Sequence, residues 1–341
     1  MTNIYFFQWI SDLGGADTRL KELIQLFSES KKYRLFSIPN DDFRLNESKN
    51  ANFLKEHGVK ILSWNDLPKK DTGFGISFCN FRIFSDKWRI EKIKSMGLKY
   101  IWSNDMMWRT PEETENFKQN LVDAVIYTSE QHYIDTSTVE TKTLKENIIP
   151  NFFYLKNYPY INREHKTITT IGKHSRSDEM KFSDNFPIFY KNLNITNPFY
   201  RVMGFNKEIR DKFKWFNFNN QWQLLNEMEE KTIEFLKSLD VYIYNSHYKF
   251  TETQCRATIE AMLTGLPVIA PAKYNFKNQI SNGKSGFLWE TYEQCQEFTK
   301  ILEKNFSLRR EMGIAGRELS KNLWCDPISH LKLWENLFNS L

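Results

Sequence analysis

No apolar run in this chain approaches the roughly 18 residues needed to cross a bilayer. The opening residues, MTNIYFFQW, lack the positive start and small-residue cleavage site of a secretory signal. They read as a first buried strand, and the expected location is cytoplasmic. Cysteine is scarce. Cys79, Cys255, Cys295 and Cys325 are widely spaced, with no C-x-x-C pair and no histidine at zinc-ligand spacing. That pattern argues against a metal site or a disulfide framework and for free thiols in a reducing compartment. Repeats and low-complexity segments are absent too, which excludes solenoids and arrays.

What is present is an ordinary globular mixture of 341 residues, 40% hydrophobic and 26% charged, long enough for two domains. Aromatics reach 16%, so rings are expected to fill much of the core. The net charge of +5 suits an acidic partner such as a nucleoside diphosphate, an anionic membrane face or nucleic acid, without choosing among them. The abundance of Lys, Asn, Ile and Phe fits an AT-rich coding genome.

Short apolar runs alternate with helix-like stretches, the pattern of an α/β fold with parallel sheets. Strands are predicted at Ile4–Trp9, Arg34–Ile38, Gly75–Cys79, Leu98–Trp102 and Ala124–Thr128, with helices such as Asp17–Ser30 and Ser85–Met96 between them. The pattern restarts at Thr167–Ile171 and continues through Tyr200–Met203, Phe213–Phe216, Asp240–Tyr244 and Pro267–Ala270. An Asn-, Tyr- and Pro-rich stretch, Asn151–Arg163, separates the two series. Two Rossmann-like domains meeting at a central cleft are expected, at 1–155 and 165–325. A last helix, 326–341, is expected to return to the first domain on the face of Leu331, Trp334 and Leu337.

The most informative window runs from Leu239 to Trp289. A strand ends in polar residues at Asn245 and Ser246, a loop carries Glu252, and a helix spans Arg256–Leu263 before Gly265 and the next strand. Ligands bind at such carboxyl edges of parallel sheets. The helix start there offers unpaired N–H groups to a phosphate. Glu260 follows Glu252 by eight positions and sits among Ile259, Ala261 and Met262, where a carboxylate needs a polar partner. Ligand hydroxyls would serve.

The run ETQCRATIEAMLTGLPVIA at 252–270 resembles the E-x7-E signature of retaining GT-B glycosyltransferases, the large family numbered four. NGKSGFL at 282–288 and RREMGIAGR at 309–317 resemble that family's downstream glycine turn and helix. GGAD at 14–17 is similar to its N-terminal glycine loop, and IPN at 149–151 to its interdomain link.

The resemblance implies a transferase that takes a sugar from a nucleotide donor, UDP- or GDP-linked, with no other cofactor. Glu252 would contact sugar hydroxyls, and Glu260 the ribose. Two bases on the loop IGKHSRSDEMK at 171–181 would hold the diphosphate: Arg176 and Lys181, with Lys173 after Gly172 as the alternative to Arg176. The donor-binding set implied is Gly14, Gly15, Gly172, Lys173, Glu252, Thr253, Gln254, Cys255 and Glu260, and the catalytic set is Arg176, Lys181 and Glu252. No D-x-D triplet is present, so a metal-free mechanism is expected. Two features depart from the family. Thr253-Gln254 replaces Phe-Gly after the first acid, and Ser103-Asn104-Asp105 stands where a histidine is usual.

The acceptor is less legible. Trp102, Asp105 and Trp108 lie at the end of a first-domain strand, as an aromatic platform or as core and cap. The leading acceptor is a glycan or a lipid-linked sugar, which would bring the protein to the inner face of the membrane. The basic helix 87–94 and the stretch Arg201–Lys214 keep open a second reading, a phage-type enzyme that glycosylates a hydroxymethylated DNA base. A third is a non-catalytic GT-B subunit or a nucleotide-sugar epimerase.

Overall fold

The computed structural model describes residues 1–10, 15–41, 48–137 and 144–341. They divide into two compact units, one made of Met1–Phe153 and Asp326–Leu341, the other of Tyr154–Cys325.

In the first unit, the described residues form a parallel sheet of seven strands. They are β1 (Thr2–Phe6), β2 (Tyr33–Ser37), β3 (Lys60–Ile61), β4 (Gly73–Phe78), β5 (Lys99–Ser103), β6 (Ala124–Tyr127) and β7 (Lys145–Ile148), in spatial order 3-2-1-4-5-6-7. The helix Gly15–Ser30 turns Leu20, Leu23, Ile24 and Phe27 inward. Against it packs Pro327–Asn339, whose start is fixed by Pro327 and by the Asp326 carboxylate accepting from the Ile328 and Ser329 amides. Trp334 meets Phe27 edge-on at 5.6 Å, and Phe338 stacks on Phe74 at 4.2 Å.

The second unit repeats the plan with β8 (Thr169–His174), β9 (Pro198–Met203), β10 (Trp222–Leu225), β11 (Val241–Ile243), β12 (Val268–Pro271) and β13 (Gly286–Trp289), in order 10-9-8-11-12-13. Val241 and Ile243 point into one core with Ile171, Phe186 and Ile269. Tyr242 joins the opposite core with Met262, Val268 and Ala270. This two-residue alternation with both faces buried is what helix-covered parallel strands require.

Two sequence expectations are corrected here. Residues 213–216 form no strand: they are a turn after the helix Lys207–Lys212, and the third strand of this sheet lies later, at Trp222–Leu225. Phe213 and Phe216 read as strand-like because they are apolar, but they belong to a ring cluster with Phe205, Phe218 and Trp222. The supposed loop from Ile171 also begins later, because β8 runs on through His174. Gly172 is therefore a strand residue, where any Cβ would run into the Arg201 carbonyl of β9.

Candidate active site

The strand order of the second sheet reverses direction between β8 and β11. Loops leaving the carboxyl ends of two such neighbours diverge, and the crevice between them is where open α/β sheets bind ligands. The loop after β8 carries Arg176 and Lys181, and the loop after β11 carries Glu252.

These loops meet. A 3₁₀ turn, Glu179–Lys181, is started by the Asp178 carboxylate accepting from the Met180 amide at 2.9 Å. It brings the Lys181 ammonium to 2.6 Å from Glu252 Oε1 and 4.0 Å from the Phe250 ring centre. The Tyr244 hydroxyl donates to the same Glu252 oxygen. Burial, then the neighbouring Glu252 charge, push the Tyr244 pKa well above its ordinary value, so the phenol stays a donor. Cys255 is buried below Glu252, and burial with that carboxylate raises its thiol to about 12, which leaves it unreactive. Thr253 and Gln254 link the two, with Gln254 buried and Thr253 half-buried.

Glu260 lies one turn after Arg256 in the helix Arg256–Leu263 and is held from several sides. His174 Nε2 stands 3.0 Å from Oε2, Arg256 3.6 Å from Oε1, and the Tyr158 hydroxyl 3.4 Å from Oε1. Burial raises the carboxyl pKa, but His174, Arg256 and Tyr158 together outweigh it and leave the pKa lowered. The acid is thus kept ionised inside the protein. His174 Nδ1, Ser175 Oγ and Ser177 Oγ, all along the start of the same loop, are buried without a hydrogen-bond partner. Unmet capacity of this kind at a sheet edge suits a ligand.

Other candidate residues sit elsewhere. Arg176 is 44% exposed, with Asp178 3.7 Å away. Lys173 is fully buried, its ammonium on backbone carbonyls. As the alternative phosphate base it is corrected, because its strand position turns it into the core. In the first unit, Gly14 lies outside the described residues and Gly15 opens the helix Gly15–Ser30. Trp102 is 0% exposed, with its indole N–H 2.7 Å from Glu113, so it is core and not a platform. Asp105 pairs with Arg19 and accepts from Ser103 Oγ at 2.9 Å. Thr110 and Glu113 cap the following helix with a reciprocal box. Trp108 is 45% exposed.

Several bases of the basic stretches have partners within their own units. Arg201 is buried, with Gln223 and Glu230 2.6 and 2.7 Å away. Arg210 donates to the Leu224 carbonyl, and Lys212 to that of Phe182 while it pairs with Asp184. Arg89 is buried against Asp86 and the Asn40 carbonyl. Arg210, Lys87, Lys207 and Lys214 remain exposed. Among the described residues no helix is long and apolar enough to cross a membrane, and no three His, Cys, Asp or Glu side chains gather as a metal would require.

Sequence reasoning missed His174, Tyr244 and Tyr158. The signal for the first two was their place at the carboxyl ends of β8 and β11; for Tyr158, in an apolar-aromatic linker, there was none.

Residues 184–319 match the family Glycosyl transferases group 1. No curated protein matches the chain. Solved structures share its architecture at low identity. HepE from Anabaena, solved with UDP-glucose, is 15% identical over 100% of both chains with a TM-score of 0.71. TarM from S. aureus, solved with alpha-GlcNAc-glycerol and UDP, is 13% identical over 99% of this chain and 100% of its own, with a TM-score of 0.77. Sucrose-phosphate synthase from Thermosynechococcus elongatus is 14% identical over 100% of both, at 0.70. The protein therefore has the two-sheet GT-B fold, and residues 184–319 of its second unit are similar to the family Glycosyl transferases group 1.

Proposed function

We propose that this protein is a retaining glycosyltransferase that binds a UDP-sugar at the β8–β11 edge of its second unit and passes the sugar to a glycan or lipid-linked acceptor. The observation that carries the reading is the Lys181–Glu252 pair at the switch point, 2.6 Å apart and nearly buried. The nucleotide is inferred from HepE and TarM, whose structures hold UDP-glucose and UDP.

In this reading, Lys181 and Arg176 stabilise the charge that develops on the leaving diphosphate. Glu252, oriented by Tyr244 and Lys181, takes the sugar hydroxyls and is not the nucleophile. Glu260, kept ionised by His174 and Arg256, takes the ribose hydroxyls. The acceptor proton passes to the departing phosphate, and transfer proceeds on one face of the sugar through an oxocarbenium-like state, without a metal. Asp105 and Trp108 of the first unit are the candidate acceptor contacts.

Incubation of the protein with UDP-glucose, other UDP-sugars and a panel of acceptors in EDTA tests this. UDP should be released, the product should keep the donor's anomeric configuration by NMR, and Glu252→Gln should lower transfer about 10²–10³-fold. An inverted product would contradict the retaining assignment, and full activity of the variant would contradict the site.

A further inference from the structure

Lys173 has no part in the chemistry proposed above, yet it occupies a costly position. It is 0% exposed on β8, and its ammonium is enclosed by the rings of Phe182, Tyr244 and Phe186 at 4.6, 4.8 and 5.8 Å. A lysine buried without a carboxylate partner is rare, because desolvating the charge destabilises the fold. Its bonds suggest why it is kept. The Nζ donates to the backbone carbonyl of Lys181 at 2.5 Å and to that of Asn245 at 2.7 Å. The first carbonyl belongs to the residue whose side chain pairs with Glu252. The second follows Tyr244, whose hydroxyl donates to Glu252. Both carbonyls lie beyond the regular elements, since the 3₁₀ turn ends at Lys181 and β11 ends at Ile243, so the sheet ladder does not satisfy them.

We infer that Lys173 is a positioning residue: one buried ammonium ties the loop after β8 to the end of β11, so that Lys181, Tyr244 and Glu252 converge. A second tie, the His247 amide on the Met180 carbonyl at 3.0 Å, joins the same two loops nearby but reaches neither Lys181 nor Tyr244. The inference rests on reading the Lys181–Glu252 pair as the donor site.

Burial first, and then the neighbouring Lys181 charge, pull the Lys173 pKa down to about 7, with Cys255 and Glu252 opposing. The titratable groups facing it are Lys181, Glu252, Cys255 and Tyr244. Of these, Cys255 and Tyr244 are pushed upward and stay protonated through neutral pH. Loss of the Lys173 proton above about pH 7 therefore weakens the tie, and donor turnover should decline as pH rises through that range.

Lys173→Met keeps the volume and removes the donors. The unfolding midpoint should change little, because the loss of a buried charge offsets the two carbonyls left unpaired. Turnover of UDP-glucose should fall by about 10–100-fold, as a loop displaced by an ångström costs, and the decline above pH 7 should vanish from what remains. Lys173→Gln, with a shorter donor, should fall between the two. Wild-type turnover in the Met variant would overturn the inference. Failure of both variants to fold would also overturn it, since the lysine would then be needed for the fold itself. Lys181→Ala run alongside separates the two readings: loss of UDP binding there with Lys173→Met unaffected refutes only the positioning role, whereas unchanged binding in Lys181→Ala refutes the donor site.

Discussion

The two units share a strand order, yet their sheet edges are chemically unlike. In the first unit the cation at this edge is Arg19, 3% exposed, whose guanidinium bonds Asp105, Ser103 and the Ile149 carbonyl. In the second, Lys181 retains 14% exposure beside Glu252, Arg176 is 44% exposed, and His174 Nδ1, Ser175 Oγ and Ser177 Oγ are without partners. The first arrangement closes on itself and holds a fold. The second keeps hydrogen-bonding capacity in reserve. One topology thus leaves its carboxyl edge self-satisfied in one unit and with unmet hydrogen-bonding capacity in the other, and the loops decide which.

Breaking the first arrangement should produce the largest loss of stability. Arg19→Met removes the cation beside the Asp105 carboxylate, and removing one partner of a buried pair costs about 3–5 kcal/mol. Urea unfolding should report that loss, whereas a change below about 0.5 kcal/mol, typical of an exposed site, would show that Arg19 has no such structural role.

Acid should separate the units more gently. In the first, burial lowers the pKa of His132 from 6.5 to about 4 and that of His330 to about 3. Below pH 6.5 the unfolded chain takes up protons that the folded unit refuses, so its stability falls from there down to about pH 3. In the second, Glu260 has a lowered pKa, so its contribution is present above its unfolded value of 4.5 and is lost only as pH falls through its lower folded value. Hydrogen exchange followed from pH 7 to 5 should therefore loosen the helix Glu130–Thr136, which carries His132, and the helix Pro327–Asn339, which carries His330, while the helix Arg256–Leu263 stays protected. Simultaneous loosening would contradict the assignment of these buried groups. Glu260→Gln should flatten only the part of the acid limb below pH 4.5.

Much of the fold was legible because parallel strands buried on both faces leave continuous apolar runs. The run at Asp240–Tyr244 is of this kind, and β11 falls within it. Strands that bury little were invisible: β7, with the sequence KENI, is an edge strand of alternating charge, and Lys60–Ile61 is only two residues long. The aromatic turn at 213–216 misled for the opposite reason, since rings supply apolarity without a strand's period. Within the candidate site, the two acids stood out by their setting beside a helix start and a strand end. The residues that orient them did not. Lys173 reads as a surface base until the strand is known to continue past Gly172, and His174 pairs with an acid 86 positions away. Contacts of that range depend on sheet register, which composition and local spacing do not encode.

The central claim is that the ligand-binding edge is the one bearing Lys181. Calorimetric titration of UDP onto the full chain tests it most directly, comparing the natural protein with Lys181→Ala and Arg176→Ala. The account predicts that UDP binds the natural protein, and that Lys181→Ala weakens binding at least tenfold, about 1.4 kcal/mol, in a chain that stays folded at the titration temperature with an unfolding midpoint lowered by the loss of Glu252's cation. Arg176→Ala should weaken it without any change in stability, since its side chain is 44% exposed. Equal UDP affinity in all three proteins, or none in any, would contradict it.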